Sequence, residues 1–125
     1  CSHGQELVIG GFTDPQGSRS GLGALLVGYY DNDELHYAGR VGTGFDEREL
    51  ERLRGALDAI ERKTAPFVDP PAERAGVHWV TPERVAEFAF TEWTDDGRLR
   101  HPSYLGERDD KDASEVVREQ PESAP

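Results

Sequence analysis

The chain has 125 residues, 35% of them hydrophobic and 31% charged, which is enough for one domain with a small core and a tail. Its formal net charge of −11 argues against a free-standing nucleic-acid binder, because that class is usually basic. The one cysteine, Cys1, excludes an intrachain disulfide and favours a reducing, cytoplasmic compartment. The sequence has no apolar run of membrane length and no signal peptide. It also has no methionine, not even at position 1, so we interpret it as a piece of a longer protein.

Three strands are predicted near the beginning of the chain. Glu6 to Phe12 is rich in β-forming residues, Gly21 to Asp31 holds a continuous apolar run, and Glu34 to Val41 follows directly. The residues between the last two segments, Asp31-Asn32-Asp33, are of the types that tolerate tight turns. The pattern therefore predicts an antiparallel meander.

A change in hydrophobic period marks the next element, a helix predicted from Glu47 to Lys63. Asp46 is the expected N-cap, and Glu49 lies three residues later, as in a capping box. Pro66 is expected to stop the helix. The apolar positions at helical spacing are Leu50, Leu53, Leu57 and Ile60.

The second half of the chain predicts further strands. His78 to Val80 forms a short extended piece, and Arg84 to Thr94 alternates as one long strand. Asp95-Asp96-Gly97 is typical of a tight turn, after which Arg98 to Pro102 can return as a fifth strand.

This order of elements predicts a mainly β fold: a five-stranded antiparallel Greek-key barrel of the OB type, with one α-helix between strands three and four. A generic α+β sandwich is the structural alternative. We divide the chain into a leader at 1–5, the OB-fold domain at 6–104, and a charged element with a polar tail at 105–125. We expect the tail to be disordered because it lacks hydrophobic periodicity.

Residues suited to nucleophilic or metal chemistry are scarce. Cys1 is terminal, and Ser18 and Ser20 lie in a loop without a nearby histidine or acid motif. The histidines lack metal-ligand spacing, so no metal site is predicted. The segment Val41-Gly42-Thr43-Gly44 leads into a helix N-terminus, which favours anions, but no P-loop lysine follows it. A plain strand-to-helix turn is the better interpretation.

Cationic residues give the stronger signals. Four arginines fall in or beside loops and strand ends, where an OB barrel often tracks nucleic acid. A charged element, Gly106 to Lys111, places Arg108 and Lys111 three residues apart with carboxylates between them. That arrangement suits polyphosphate binding, although most charge runs are solvated surface. The four arginines are Arg19, Arg40, Arg98 and Arg100.

Taken in order, several segments resemble the C-terminal OB domain of ATP-dependent DNA ligases, and most closely the bacterial ligase-D type used in non-homologous end joining. The resemblance covers about residues 5 to 118. It is carried by Glu6–Pro15, Gly21–Tyr30, Tyr37–Phe45, Glu92–Tyr104 and Arg108–Lys111. The last of these, Arg-Asp-Asp-Lys, matches the Arg-x-Asp-Lys of nucleotidyltransferase motif VI.

The resemblance implies two roles. During enzyme adenylation the OB domain closes over ATP, and Arg108 and Lys111 contact its β and γ phosphates while Asp110 orders the site. Later the domain clamps nicked or broken duplex DNA; the four arginines chosen above for their positions at loops and strand ends are the expected contacts. The sequence contains no Lys-x-Asp-Gly motif, so the adenylated lysine belongs to a separate nucleotidyltransferase domain. The acids Glu107 and Asp109 depart from the family pattern.

The remaining expectations follow from the same resemblance. ATP and a divalent cation, Mg or Mn, would serve the intact ligase, whereas this domain alone would bind neither. The partners would be the nucleotidyltransferase domain, duplex DNA and Ku-type end-joining proteins, in the bacterial cytoplasm near the nucleoid and without a membrane. Two alternatives stay open: an autonomous OB-like module that binds single-stranded nucleic acid or protein, and a stand-alone enzyme, which would lack a nucleophile.

Overall fold

The computed structural model describes residues 3–72, 75–109 and 112–117. Its regular elements form an antiparallel, mainly β structure with one α-helix, consistent with the predicted OB barrel. The elements are β1 His3–Thr13, β2 Leu25–Asp31, β3 Glu34–Val41, α1 Glu47–Asp58, β4 Glu61–Arg62, β5 Val77–Phe90, β6 Glu92–Trp93, β7 Leu99–Arg100, β8 Ser103–Arg108 and a 3-10 helix Ala113–Glu115.

The predicted meander is confirmed by strands β1, β2 and β3. Strand β2 pairs antiparallel with both neighbours. The turn between β2 and β3 has two residues, Asn32 and Asp33, with φ of 53° and 63°. Two consecutive left-handed residues give the turn twist that matches a β-hairpin, which explains the Asn-Asp sequence there.

Strand β5 is the central strand of the sheet, since it pairs with β1, β4 and β8. The short extended piece predicted at His78 to Val80 and most of the long strand predicted from Arg84 are therefore one continuous element. The strand is irregular between these two parts. Its pairing with β1 shifts in register, from Ile9↔Arg84 to Gly11↔Trp79. Pro82 lies inside this jump, where a residue without an N–H can be tolerated in a strand.

Helix α1 covers one end of the main core. Its N-cap is the predicted Asp46, whose Oδ1 accepts from the backbone N–H of Glu49 at 2.8 Å. Three leucines of the helix, Leu50, Leu53 and Leu57, are buried in the cluster that holds the inward side chains of the sheet. The helix ends at Asp58, before the predicted Lys63, because the next residues, Glu61 and Arg62, pair with β5 as a strand.

The last strands differ from the prediction. Among the described residues, Leu99–Arg100 pairs with Glu92–Trp93 alone, forming a separate two-stranded ribbon. The strand that joins the main sheet is β8, Ser103–Arg108, rather than the predicted Arg98–Pro102. The reason is local: His101 has a φ of 54° and Pro102 follows it, so regular pairing stops there and resumes at Ser103.

Regular structure extends beyond both predicted ends of the barrel segment. Strand β1 begins at His3, and β8 continues to Arg108. Part of the segment expected to be disordered is also ordered: Ala113 and Val116 are buried in a second apolar cluster on the outer face of the sheet. The Tyr30 backbone N–H donates to the Val116 carbonyl at 2.8 Å. Residues 118–125 lie outside the described part of the chain.

Candidate functional site

The direction of Arg108 is set by a β-bulge in strand β8. Phe88 pairs with Tyr104 and Glu87 pairs with Gly106, so Leu105 is an extra residue in β8. A bulge shifts the alternation of side chains by one residue. Without it, Arg108 would share the inward face with Tyr104.

With the bulge, Arg108 lies on the outer face of the sheet. Its Nη1 is 3.2 Å from a carboxylate oxygen of Glu6 on β1 and 3.4 Å from one of Glu87 on β5. The Arg108 side chain is 40% exposed. A partly solvated cation held by two carboxylates can exchange them for phosphate oxygens, since both are oxyanions that guanidinium binds in the same way.

The two other residues of the predicted phosphate motif, Asp110 and Lys111, lie outside the described residues. Their roles remain predictions.

Glu107, the neighbour of Arg108, faces inward and is bound by two arginines. Its Oε1 accepts from Arg52 of helix α1 at 3.0 Å, and its Oε2 accepts from Arg84 of β5 at 2.6 Å. The Glu107 side chain is only 13% exposed. This acid, which departs from the family pattern, is therefore paired with two cations within the fold.

The ion-pair network continues through the helix. Arg52 also forms two hydrogen bonds to Glu49, at 2.7 and 2.8 Å, and Glu49 accepts from the Tyr104 hydroxyl at 2.5 Å. The hydrogen bond from Arg52 is the largest cause lowering the pKa of the Glu49 carboxyl, and the bond to Glu49 raises the pKa of Arg52. Burial, with the Glu49 carboxylate, raises the pKa of Tyr104. These shifts favour a charged Glu49–Arg52 pair and a neutral Tyr104 at ordinary pH.

Sequence reasoning did not foresee this network. The spacing of Glu49 and Arg52 on a helix could have indicated their pairing. The contact of Arg84 with Glu107 depends on the β5–β8 register, which includes the bulge, and no local pattern in the sequence specifies it.

Two of the four predicted DNA-binding arginines have structural contacts inside the domain. Arg19 donates to the carbonyls of Leu22 and Gly42, both at 3.0 Å, and its guanidinium lies over the Phe45 ring. Arg98 donates to the Tyr37 backbone carbonyl at 2.8 Å, and its guanidinium lies over the Tyr37 ring. Each holds a loop or ribbon against the barrel.

The two other arginines lie on strand β3 and on the β6–β7 ribbon. Arg100, on the β6–β7 ribbon, has its Nε 2.8 Å from a carboxylate oxygen of Glu92. Arg40, on β3, lines a shallow cleft together with Thr13, Asp14 and Gln16. Arg19 lines the same cleft, whereas Arg98 and Arg100 belong to or adjoin the ribbon. DNA contact by any of the four remains a prediction.

The segment 41–44 is a structural turn that closes the barrel. The Thr43 carbonyl accepts from the Tyr104 backbone N–H at 2.9 Å, which joins the end of β3 to β8. Gly44 has a φ of 95° and lies directly against the Tyr104 backbone. The interpretation as a strand-to-helix turn therefore accounts for its glycines.

A histidine on β5 links three elements. His78 Nε2 is 2.7 Å from Asp14 and its Nδ1 is 2.9 Å from Glu61, while the ring stacks on Phe12 at 4.9 Å. Asp14 also lies 3.7 Å from Arg54. Burial lowers the pKa of His78, but the hydrogen bonds to Glu61 and Asp14 outweigh it and raise the pKa above its ordinary value.

The raised pKa predicts a pH-dependent contribution to stability. Because the folded state favours the imidazolium, the contribution is full below the ordinary histidine pKa of about 6.5 and is lost as the pH rises through the raised value. His78→Gln should lower the free energy of unfolding by about 0.5–1 kcal/mol near pH ~6 and by less near pH ~9, measured by urea denaturation. His101→Asn, at an exposed histidine, is the control. An equal loss at both pH values would contradict a raised pKa for His78 in the folded state.

Residues 3–72, 75–109 and 112–117 were compared with the patterns of metal ligands and of membrane-spanning helices. No group of three or more His, Cys, Asp or Glu side chains there could hold a metal ion. In the same residues, no helix is long and apolar enough to cross a membrane.

Comparison with known proteins identifies the family. Residues 18–111 match the family model described as "ATP dependent DNA ligase C terminal region". The chain is 41% identical over 130 residues to the multifunctional non-homologous end joining protein LigD of Pseudomonas aeruginosa, a match that covers 100% of this chain and 16% of that protein. The chain therefore spans about a sixth of the length of this curated relative.

Solved structures agree with this match. The ligase domain of Mycobacterium tuberculosis LigD superposes with a TM-score of 0.88 at 47% identity, covering 94% of this chain and 39% of that one. A mycobacterial DNA ligase D complexed with ATP and MES gives a TM-score of 0.81 at 47% identity, covering 94% and 38%. The motif match, the shared fold and the identity across nearly the whole chain together place this protein in the family of C-terminal regions of ATP-dependent DNA ligases, in its LigD type.

Proposed function

We propose that this domain assists self-adenylation of an ATP-dependent ligase by placing Arg108, Asp110 and Lys111 at the β and γ phosphates of ATP. The observation that carries the proposal is the position of Arg108: the bulge in β8 turns its side chain outward, where its Nη1 lies near the carboxylates of Glu6 and Glu87. A similar ligase D has been solved in complex with ATP, which supports ATP as the nucleotide.

The chemistry that Arg108 can supply is electrostatic. Transfer of the adenylyl group leaves pyrophosphate, and negative charge grows on the leaving oxygens as the bond breaks. A guanidinium held at that place stabilises the developing charge without a proton transfer. Glu6 and Glu87 lie beside the Arg108 guanidinium in this domain, and phosphate oxygens would replace them as its partners in the intact ligase. The domain acts only with the nucleotidyltransferase domain, which would supply the lysine and most of the ATP pocket.

We extend the proposal to DNA. In the sealing steps the domain would clamp nicked or broken duplex DNA during double-strand break repair, with Arg19 and Arg40 at one cleft and Arg98 and Arg100 near the ribbon. A divalent cation, Ku-type partners and a nucleoid-associated cytoplasmic location belong to the same proposal for the intact ligase. Base stacking by an autonomous single-strand binder is less well supported, because Tyr37, Trp79 and Tyr104 are buried in the apolar clusters.

Labelling with ATP that carries a radioactive α-phosphate tests the division of labour between domains. The intact ligase should become covalently labelled. The ligase from which this domain has been removed should label far more slowly, and the domain by itself should not label at all. Covalent labelling of the isolated domain would contradict the proposal and favour a stand-alone enzyme.

Replacing Arg40 tests the DNA contact. If Arg40 contacts a phosphate, Arg40→Ala in the intact ligase should weaken binding to nicked duplex and reduce the slope of log K against log salt by about 0.9. Fluorescence anisotropy over a salt titration measures both quantities. Arg48→Ala, on the exposed side of helix α1, removes the same charge and serves as the control. An unchanged slope for Arg40→Ala, or an equal change for both variants, would count against the contact.

A further inference from the structure

We infer that Glu107 is a positioning residue for Arg108: by binding Arg52 and Arg84 it fixes the register of β8 and thereby turns Arg108 toward the phosphate site. The inference rests on the proposed function, because it concerns the same step of the reaction. Glu107 lies outside the Arg-x-Asp-Lys motif, and in this inference it acts through Arg108 without contacting ATP.

The first argument is geometric. Glu107 and Arg108 are consecutive residues of a strand, so they point to opposite faces. Glu107 pairs in register with Ala86, which faces the main core, and Arg108 pairs with Val85, which faces the outer cluster. Any force that holds Glu107 inward therefore holds Arg108 outward.

The second argument concerns the bulge. A bulge disrupts the ladder of backbone hydrogen bonds locally, so side-chain contacts on either side of it help to fix the register of the strand. Two side-chain anchors flank this one: the Tyr104 hydroxyl bonds Glu49 before it, and the Glu107 carboxylate bonds Arg52 and Arg84 after it. A slip by one residue would break the second anchor and exchange the faces of Glu107 and Arg108.

The third argument concerns the choice of glutamate. Its two oxygens accept from two guanidiniums that come from different elements, the helix and the central strand. An apolar residue could fill the space but would leave both arginines without this acceptor. Glutamine could accept with one oxygen only, so it keeps the volume and loses half of the anchor.

The test uses the intact ligase with Glu107→Gln. We expect the rate of self-adenylation at subsaturating ATP to fall by on the order of tenfold. A displacement of the Arg108 guanidinium by about 1 Å is enough to weaken its contact with the phosphates by such a factor. Sealing of a pre-adenylated nick should be unchanged, since that step follows pyrophosphate release. Glu83→Gln, at an exposed glutamate on the same strand as Arg84, is the matched control and should behave as wild type.

A double-mutant cycle with Arg108→Ala decides whether Glu107 acts through Arg108. If it does, Glu107→Gln should cause no further loss of adenylation in the Arg108→Ala background. A full additional loss in that background, or a wild-type rate for Glu107→Gln alone, would overturn the inference. Failure of the proposed function is distinguishable, because Arg108→Ala by itself would then leave adenylation unaffected.

A second variant guards against misfolding. If Glu107→Gln does not give a folded ligase, Arg84→Gln removes one of the two anchors and leaves Glu107 bound to Arg52. The expected pattern is the same with a smaller loss: slower adenylation, an elevated KM for ATP and unchanged sealing of pre-adenylated nicks. Wild-type adenylation by folded Arg84→Gln, or a loss shared equally by both steps, would overturn the inference.

Discussion

Arg108→Ala in the intact ligase is expected to slow self-adenylation by on the order of a hundredfold, the effect typical of removing one preorganised donor from a developing oxyanion. The change removes a guanidinium that is itself 40% exposed, so we expect the fold to lose little stability. Single-turnover labelling with α-labelled ATP, followed by quenching at short times, measures the rate directly.

Arg108→Lys is the informative companion variant. It keeps one positive charge but loses the planar fork that binds two phosphate oxygens at once. We expect an intermediate rate, between those of the alanine variant and the wild type. A wild-type adenylation rate for Arg108→Ala would contradict the assignment of this residue to the phosphates.

Gly44→Ala is expected to destabilise the domain by about 3 kcal/mol or more, through two separate costs. The backbone at Gly44 has a φ of 95°, which side-chain-bearing residues rarely adopt. A Cβ there would lie 2.3 Å from the Tyr104 carbonyl oxygen and 2.6 Å from its nitrogen. Neither backbone atom can move without breaking the hydrogen bond between Thr43 and Tyr104 that closes the barrel. Urea denaturation monitored by circular dichroism measures the loss.

Gly55→Ala provides the matched control for that change. Gly55 lies within helix α1, and a Cβ at this position has open space around it. The same substitution should therefore raise the free energy of unfolding by about 0.5–1 kcal/mol, as expected for alanine in a helix. Similar effects of the two substitutions would mean that the turn at Gly44 is not held against β8 as described.

Local patterns predicted the fold well where each segment carried its own signal. The Asn32-Asp33 turn, the N-cap at Asp46 and the three buried leucines of α1 were all predictable from residue type and spacing. The predictions were wrong where strand pairing between distant segments determines the bounds of an element. Helix α1 stops at Asp58 because Glu61 and Arg62 pair with β5, and that competition does not appear in the helix sequence.

The candidate site was predictable only in part, for the same reason. Arg108 was found through a short motif, whereas its direction depends on a bulge at Leu105 that joins distant strands. The acids around Arg108, namely Glu6, Glu87 and Glu107, contribute to the net charge of −11, which argues against DNA binding when the sequence is read alone. In the fold each of them pairs with an arginine, so the local field is set by ion pairs rather than by the sum of −11.

The account depends most directly on how the effect of Arg108→Ala divides between the two chemical steps. Both rates can be measured on one enzyme preparation: self-adenylation with labelled ATP, and sealing of a nick that already carries AMP on its 5′ phosphate. We predict a large loss in adenylation and a nearly wild-type rate of sealing, because only the first step releases pyrophosphate. An equal loss in both steps would contradict the claim that this domain presents Arg108 to the β and γ phosphates of ATP.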